Sequence, residues 1–430
     1  MQSTKSESNQ YCALIDCDNY YIACERIFDK KLTRKPVVVL SNNDGCIVAR
    51  SKESRVIGLP MGGPRFQWEE IFCKYGVKVL SPNYEFYGDV SSRVMELLKH
   101  FSPEIEIYSI DEAFLTLQKS SIEDLTSLGQ SIRQKVRQCI GVQCSVGIAK
   151  TKTLTKAAIE FAKKRREYNG VLDLTNDQNV DDHLAQLPVI DVWGIGKRYT
   201  ELLLKNRITT AQQLRDAPDK WIRKHLTIVG LRTVWELRGI PCIPLELAPP
   251  PKQTIICSRS FGRPVEELRE LKEAVATYTT EAATRLRRQG SVASAMEVFI
   301  ETNRFVDEPQ YGNSVTFQLE SSTAYTPDLI KQAIIAVEQI YKAGYRYKRA
   351  GIILLGIVDE DQAQGSFWGR QYEEKQKRAM QAMDRLNEKF GKGTVKLAAE
   401  GLKQTWQMRA SNRSPRYTTR WDEFPTVIAR

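Results

Sequence analysis

The sequence predicts a mixed α/β protein of several domains (α+β), and three observations carry that expectation. At 430 residues the chain exceeds what one hydrophobic core serves, and roughly two to four domains are expected. Its first half interleaves short apolar runs with helix-spaced segments, the pattern of a sheet flanked by helices. Beyond three consecutive prolines at 249–251 the segments follow the order βαββαβ, an independent ferredoxin-like unit.

Composition narrows the partners. With 42% hydrophobic and 27% charged residues the chain is ordinarily globular. Its 63 Lys plus Arg against 52 Asp plus Glu leave a net charge of +11, which points toward a polyanion. Nine cysteines, an odd number without a C-x-x-C pair, argue for a reducing compartment and against a disulfide framework or structural zinc. The three histidines are too scattered to form a metal pair. The polar opening "MQSTKSESNQ" has no apolar core of a signal peptide, and no membrane-spanning apolar run follows. A cytoplasmic protein is expected.

Taken in order, "YCALIDC" reads as a strand, and Tyr20, Cys24 and Ile27 then take helical spacing, so Asp16 and Asp18 fall at a strand-to-helix junction. "PVVVLSNN" and "GCIVARS" read as two strands around a turn at "NNDG". An amphipathic helix follows with Val90, Val94, Leu97, Leu98 and Phe101 on its face. After "EIEIYSIDEAFLTL" come a helix over about 122–139, the strand "QCSVGIA" and a basic helix through "KTKTLTKAAIEFAKKRR". Short helices with glycine turns at "WGIGK" and "IVGLR" lead to the linker "LAPPPKQ". Residues 363–430 hold 14 Lys plus Arg against 7 Asp plus Glu, and "RASNRSPRYTTR" has four arginines and little to bury. Disorder until bound is expected there.

The pair Asp111–Glu112 interrupts a strand-like stretch. Ile105 and Ile107 share one phase, whereas Ile110 and Phe114 take the other. Such a break predicts a tight hairpin or bulge with both acids at its turn. Magnesium takes hard oxygen ligands, commonly carboxylates plus substrate phosphates. Asp16 would complete a three-carboxylate cup of the kind two-metal phosphoryl transfer uses. On the residues alone, however, an acidic dipeptide in a turn is more often solvated punctuation.

"ALIDCDNYYIACE" with "YSIDEAF" resembles the paired metal motifs of Y-family translesion DNA polymerases. "KPVVVLSNNDGCIVARS", "GIAKTKTLTKAA", "DVWGIGKR", "ICSRSFG" and "SPRYTTR" resemble the UmuC-type catalytic subunits of bacterial DNA polymerase V, colinearly from about residue 11 to 420. The resemblance implies a right-hand polymerase: a disordered N-terminus 1–10, a palm at 11–28 and 87–185, fingers at 29–86, and a helical thumb at 186–247. A linker 248–253, a ferredoxin-like little finger 254–360 and a basic partner-binding tail 361–430 would follow. It implies error-prone, template-directed DNA synthesis past damage in the SOS response, by a nucleotidyltransferase using two Mg2+ ions.

Carried over residue by residue, Asp16, Asp111 and Glu112 are catalytic and metal-binding, with the Cys17 backbone carbonyl as a further ligand. Asp18 is not counted. Tyr20 and Tyr21 lie at the nucleotide, Tyr21 as a steric gate against the ribose 2′-hydroxyl. Arg55 and Lys163 match triphosphate contacts, whereas Lys52 stands where many members have a Tyr. "DVWGIGKR" resembles a helix-hairpin-helix, with Gly194 and Gly196 bringing backbone N–H groups to a DNA phosphate beside Lys197 and Arg198. Arg259 and Arg263 are candidates for a second DNA grip. "QGSFW" matches the place of a sliding-clamp peptide, through Gln364, Phe367 and Trp368. Implied partners are primer-template DNA, dNTPs, a UmuD-type processed dimer, a RecA filament and the clamp, with nucleoid association and no membrane. The alternatives are a non-catalytic DNA-binding scaffold with the same fold, which would lack one of the three acids, and a palm-type nucleotidyl cyclase, which has no use for the thumb-like motif.

Overall fold

The computed structural model describes residues 10–118, 124–362 and 374–426. The chain divides into two compact units. One takes in Cys46–Pro249 with the residues before Asn42 and after Ser411, and the other Pro250–Ser411 with Asn42–Gly45.

In the first unit, β1 (Gln10–Cys17) is the middle strand of a five-stranded sheet. Its run Ala13–Leu14–Ile15 is fully buried, as an unbroken apolar strand covered on both faces must be. Then come α1 (Tyr20–Phe28), β2 (Val37–Leu40), β3 (Ile47–Arg50), α2 (Lys52–Val56), α3 (Glu69–Tyr75), β4 (Lys78–Leu80) and α4 (Tyr84–Leu98). Strand β2 pairs antiparallel with β3 and parallel with β4, forming a separate three-stranded sheet. The hairpin of β5 (Ile105–Ile107) and β6 (Glu112–Gln118) follows, then α5 (Leu125–Ile140), β7 (Cys144–Ala149), α6 (Lys152–Lys164) and β8 (Val171–Leu174). The large sheet has the order β5-β6-β1-β7-β8, and β1 runs antiparallel to both β6 and β7. The C-terminal end of β1 therefore lies beside the start of β6.

A helical segment closes this unit: α7 (Asp177–Gln186), α8 (Lys197–Lys205), α9 (Ala211–Asp216) and α10 (Asp219–Leu237). Thr227, at φ 66°, breaks α10 in two. Fully buried Glu236 accepts from the backbone N–H groups of Thr153 (3.0 Å), Cys242 (2.9 Å) and Ile243 (3.0 Å), which fastens this segment to the start of α6. Three donors satisfy a buried carboxylate that would be costly to leave unpartnered.

The second unit follows the predicted order: β9 (Ile255–Val265), α11 (Leu268–Arg288), β10 (Ser291–Thr302), β11 (Gly312–Thr323), α12 (Thr326–Ile340) and β12 (Tyr347–Asp359). The four strands form an antiparallel sheet in the order β11-β10-β12-β9. Helix α13 (Glu374–Phe390) is fastened to α11 by Arg287, whose Nε lies 2.7 Å from Asp384. The chain then crosses β9, where Trp406, 3% exposed, enters the core against Phe261 and Tyr278. Among the described residues, no helix is long and apolar enough to cross a membrane.

Three expectations are corrected. Gln10, assigned to a disordered start, pairs with Gln118 in the sheet. In β5 the buried residue is Glu106, 6% exposed, and Ile107 is 58% exposed. The ammonium of buried Lys152 pairs with Glu106 and reverses the phase that the two isoleucines suggested. The arginine-rich end is not without structure: Arg413 forms a parallel bridge with Ser81, and Arg416 is held by Glu85 and Glu423. Ser81 and Glu85 lie more than 300 residues away along the chain, so local composition gave no sign of those two contacts.

Candidate active site

Strand β1 ends at Cys17, and left-handed Asn19 (φ 48°) turns the chain into α1. Asp16 is thus delivered at the C-terminal end of the central strand, directly opposite Glu112 in the antiparallel register. Opposed residues of a ladder have Cβ atoms only about 5 Å apart, so like charges there repel. The turn before β6 is closed by the Tyr108 and Ser109 N–H groups donating to the Glu112 carbonyl, each at 3.1 Å, and the Cys17 N–H donates to the Asp111 carbonyl at 2.9 Å. A tight hairpin is present with Asp111 in its turn, but Glu112, expected in the turn as well, is the first residue of β6.

Two lysines, two helical turns apart on α6, answer the paired acids: Lys163 on Asp16, and Lys156 at 2.9 Å from Glu112. Burial pushes the Asp16 carboxyl up to about 7, against the pull of Lys163. Burial also raises Glu112, but hydrogen bonds from Lys156 and Asp16 and the nearby ammoniums hold it below the usual carboxylate range. Burial therefore outweighs the lysine at Asp16, and at the less enclosed Glu112 the donors outweigh burial. Asp111 is turned to Ser109, whose hydroxyl donates to it at 2.7 Å. Among the described residues, no three His, Cys, Asp or Glu side chains close into a ready-made metal cage. The donor set nevertheless suits hard divalent cations: carboxylate oxygens crowded together, one of them costly to ionise without a positive partner.

Beside the acids lies a cavity of about 350 Å³, lined by Asp16, Cys17 and Asp111, by Tyr20 and Tyr21, and by Arg50, Arg55 and Lys163. An acidic corner facing a cationic rim fits a cation-bound polyphosphate. The half-buried Tyr21 ring forms one wall, stacked on Tyr87 at 4.6 Å and 15° and edge-on to Tyr84 at 5.9 Å. Tyr20 is buried and donates its hydroxyl to the Tyr87 carbonyl at 2.7 Å, so its contribution is to hold that wall.

Other predicted residues distribute as follows. Asp18 accepts from Ser145 at 3.0 Å and does not line the cavity. Exposed Lys52 opens α2 outside the lining, while Arg55 on the same helix belongs to it. Gly194, at φ 87°, and Gly196 precede α8, and both glycines, Lys197 and Arg198 are exposed. Arg259 is paired with Glu281 at 3.3 Å and Arg263 with Glu270. Gln364, Phe367 and Trp368 lie outside the described residues.

Sequence reasoning missed Arg50 and Lys156. Arg50 donates to the Leu59 carbonyl at the cavity, and nothing in "IVARS" marks it out. Lys156 had a usable signal: it shares a helical face with Lys163.

Family models match three stretches: the impB/mucB/samB family over residues 15–160, that family's C-terminal domain over 252–367, and a domain of unknown function (DUF4113) over 377–427. The chain is 42% identical over 423 residues to protein UmuC of Salmonella typhimurium, covering 96% of this chain and 99% of that protein. It is 25% identical over 390 residues to DNA polymerase IV of Desulfatibacillum aliphaticivorans, covering 90% and 95%. Among solved structures, the Y-family DNA polymerase chimera Dbh-Dpo4(243-245)-Dbh superposes with a TM-score of 0.64 at 18% identity, over 81% of this chain and 99% of that one. That likeness shows the palm, fingers, thumb and little-finger fold. The protein is thus a DNA-directed DNA polymerase of the Y-family. Within that class it belongs to the impB/mucB/samB family, as a UmuC-type translesion polymerase of SOS mutagenesis.

Proposed function

We propose that the cavity between the Asp16–Glu112 pair and the Arg50–Arg55–Lys163 rim is where a dNTP is joined to a primer 3′ end opposite damaged template. The observation that supports this most is the opposed acid pair, each acid with its own lysine, at the mouth of a cation-lined pocket. Asp16, Asp111, Glu112 and the Cys17 carbonyl would hold two Mg2+ ions, which supply charge neutralisation at the attacking oxygen and the departing pyrophosphate.

Arg55 and Lys163 grip the triphosphate, with Arg50 as a third cation, and Lys163 exchanges Asp16 for phosphate oxygen when the nucleotide enters. Tyr21 lies beneath the sugar and excludes a 2′-hydroxyl. The primer 3′ oxygen attacks the α-phosphorus in line, and the bond to pyrophosphate breaks. The exposed Gly194–Gly196 turn with Lys197 and Arg198 holds the DNA backbone without reading bases. Arg259 and Arg263 would have to leave their glutamates to touch DNA. A UmuD-type dimer, a RecA filament and a sliding clamp at Gln364, Phe367 and Trp368 complete the proposed assembly on the nucleoid.

Primer extension on damaged template tests this. The wild-type chain, with its partners supplied, is expected to extend the primer with Mg2+ and stop with a chelator. Asp111→Ala should fold normally and lose at least about 100-fold in rate, on the scale of losing an essential electrostatic group. Equal synthesis by both proteins would overturn the assignment, and none by the wild type would favour a DNA-binding scaffold.

A further inference from the structure

The C-terminal segment returns to the first unit and packs beneath the aromatic wall of the cavity. Asn83, 1% exposed, donates its amide to the Ser414 carbonyl (3.0 Å), the Ser414 hydroxyl (3.0 Å) and the Pro415 carbonyl (3.1 Å). The Ser414 hydroxyl donates to Glu25 at 2.8 Å, and the Tyr87 hydroxyl donates to the same oxygen at 2.6 Å. Glu25 is 1% exposed, and a carboxyl so enclosed depends on its donors. Tyr417 lies flat on Phe28 at 4.5 Å and 7°, and edge-on to Phe86 at 5.6 Å.

These contacts converge on two helices. Glu25 and Phe28 belong to α1, which carries Tyr21; Phe86 and Tyr87 belong to α4, and Tyr87 is the ring on which Tyr21 stacks. Ser414 and Tyr417 therefore touch both supports of the cavity wall while lying outside the cavity lining. They fall within the stretch matched by the domain of unknown function.

We infer that residues 412–418 are a positioning strap for sugar selection, clamping α1 to α4 through Glu25 and Phe28 and so holding Tyr21 in place. The inference rests on the assignment of Tyr21 as the sugar gate. Ser414 and Tyr417 act through Tyr21 and touch no substrate. Loss of the strap lets the ring tilt, and a ribose is admitted more readily.

The test is the ratio of kcat/KM for a ribonucleotide to that for the matching deoxyribonucleotide, measured on the full chain in one active assembly. Tyr417→Ala should raise the ratio roughly 2- to 12-fold, the equivalent of an aromatic pair of about 0.5–1.5 kcal/mol. Tyr417→Phe keeps the stack and should match wild type. Tyr21→Ala should raise the ratio further, and adding Tyr417→Ala to it should change nothing more. If Tyr21→Ala relaxes selection but Tyr417→Ala and Ser414→Ala do not, the strap inference fails alone. If Tyr21→Ala has no effect, the gate assignment fails and the strap falls with it. Ser414→Ala removes only a hydroxyl and keeps the test open should Tyr417→Ala not fold.

Discussion

Lys156 stands 2.9 Å from Glu112 and 4.4 Å from the centroid of the Tyr108 ring, so one ammonium is shared between a site carboxylate and the turn that precedes it. Trp193, from the helical segment, donates its indole N–H to the Tyr108 hydroxyl at 3.2 Å. The lysine lowers the pKa of Glu112, and the proposed chemistry needs that carboxylate ionised. Lys156→Met should move the acidic limb of the pH profile of kcat/KM upward by about one unit or more, the usual effect of an adjacent opposite charge. An unmoved limb would separate Lys156 from the chemistry.

Asp16 gives a pH signature of its own in the metal-free protein. Burial raises its pKa from 3.8 to about 7, so between those values the folded chain binds a proton that the unfolded chain has released. Stability from this group is full below the lower value and is lost as pH rises to the upper one. The loss is at most about 4 kcal/mol, since each pH unit between the two values is worth about 1.36 kcal/mol. Urea unfolding with chelator present should show this decline for wild type, and Asp16→Asn should flatten it. A wild-type curve of the same slope as Asp16→Asn would mean the carboxyl is not raised.

Gly262 lies in β9, and its N–H donates to the Trp406 carbonyl at 3.1 Å. A Cβ there would meet the Gln407 carbonyl oxygen at 2.2 Å, a backbone atom that cannot swing aside. Gly262→Ala should therefore lift the crossing segment at a cost of about 1–3 kcal/mol. Hydrogen exchange across 401–411 is expected to quicken while β10 and β12 keep their protection. Unchanged exchange would mean that the strand accommodates the methyl.

The position of Asp16 opposite Glu112 was only half legible: carboxylates interrupting apolar runs raised the question, solvated punctuation was the commoner answer on the residues alone, and the family resemblance decided for a site. The βαββαβ order was legible because both periods, two and 3.6, are set by neighbouring residues. Glu106 escaped because Ile105 and Ile107 counterfeit an apolar face, and its partner Lys152 lies on another element. Lys156 escaped because a lysine on a basic helix ordinarily marks a wetted surface, even one sharing a face with Lys163. The Asn83–Ser414 contact joins positions 331 residues apart, and no local period or composition reports a bond of that span.

Pro250–Ser411 is inserted between Pro249 and Asn412, which both belong to the first unit, so this stretch is joined to that unit by chain at each of its ends. A single protease cut in the linker around the prolines at 249–251 would not set it adrift, because Ser414 and Tyr417 would still hold its far end.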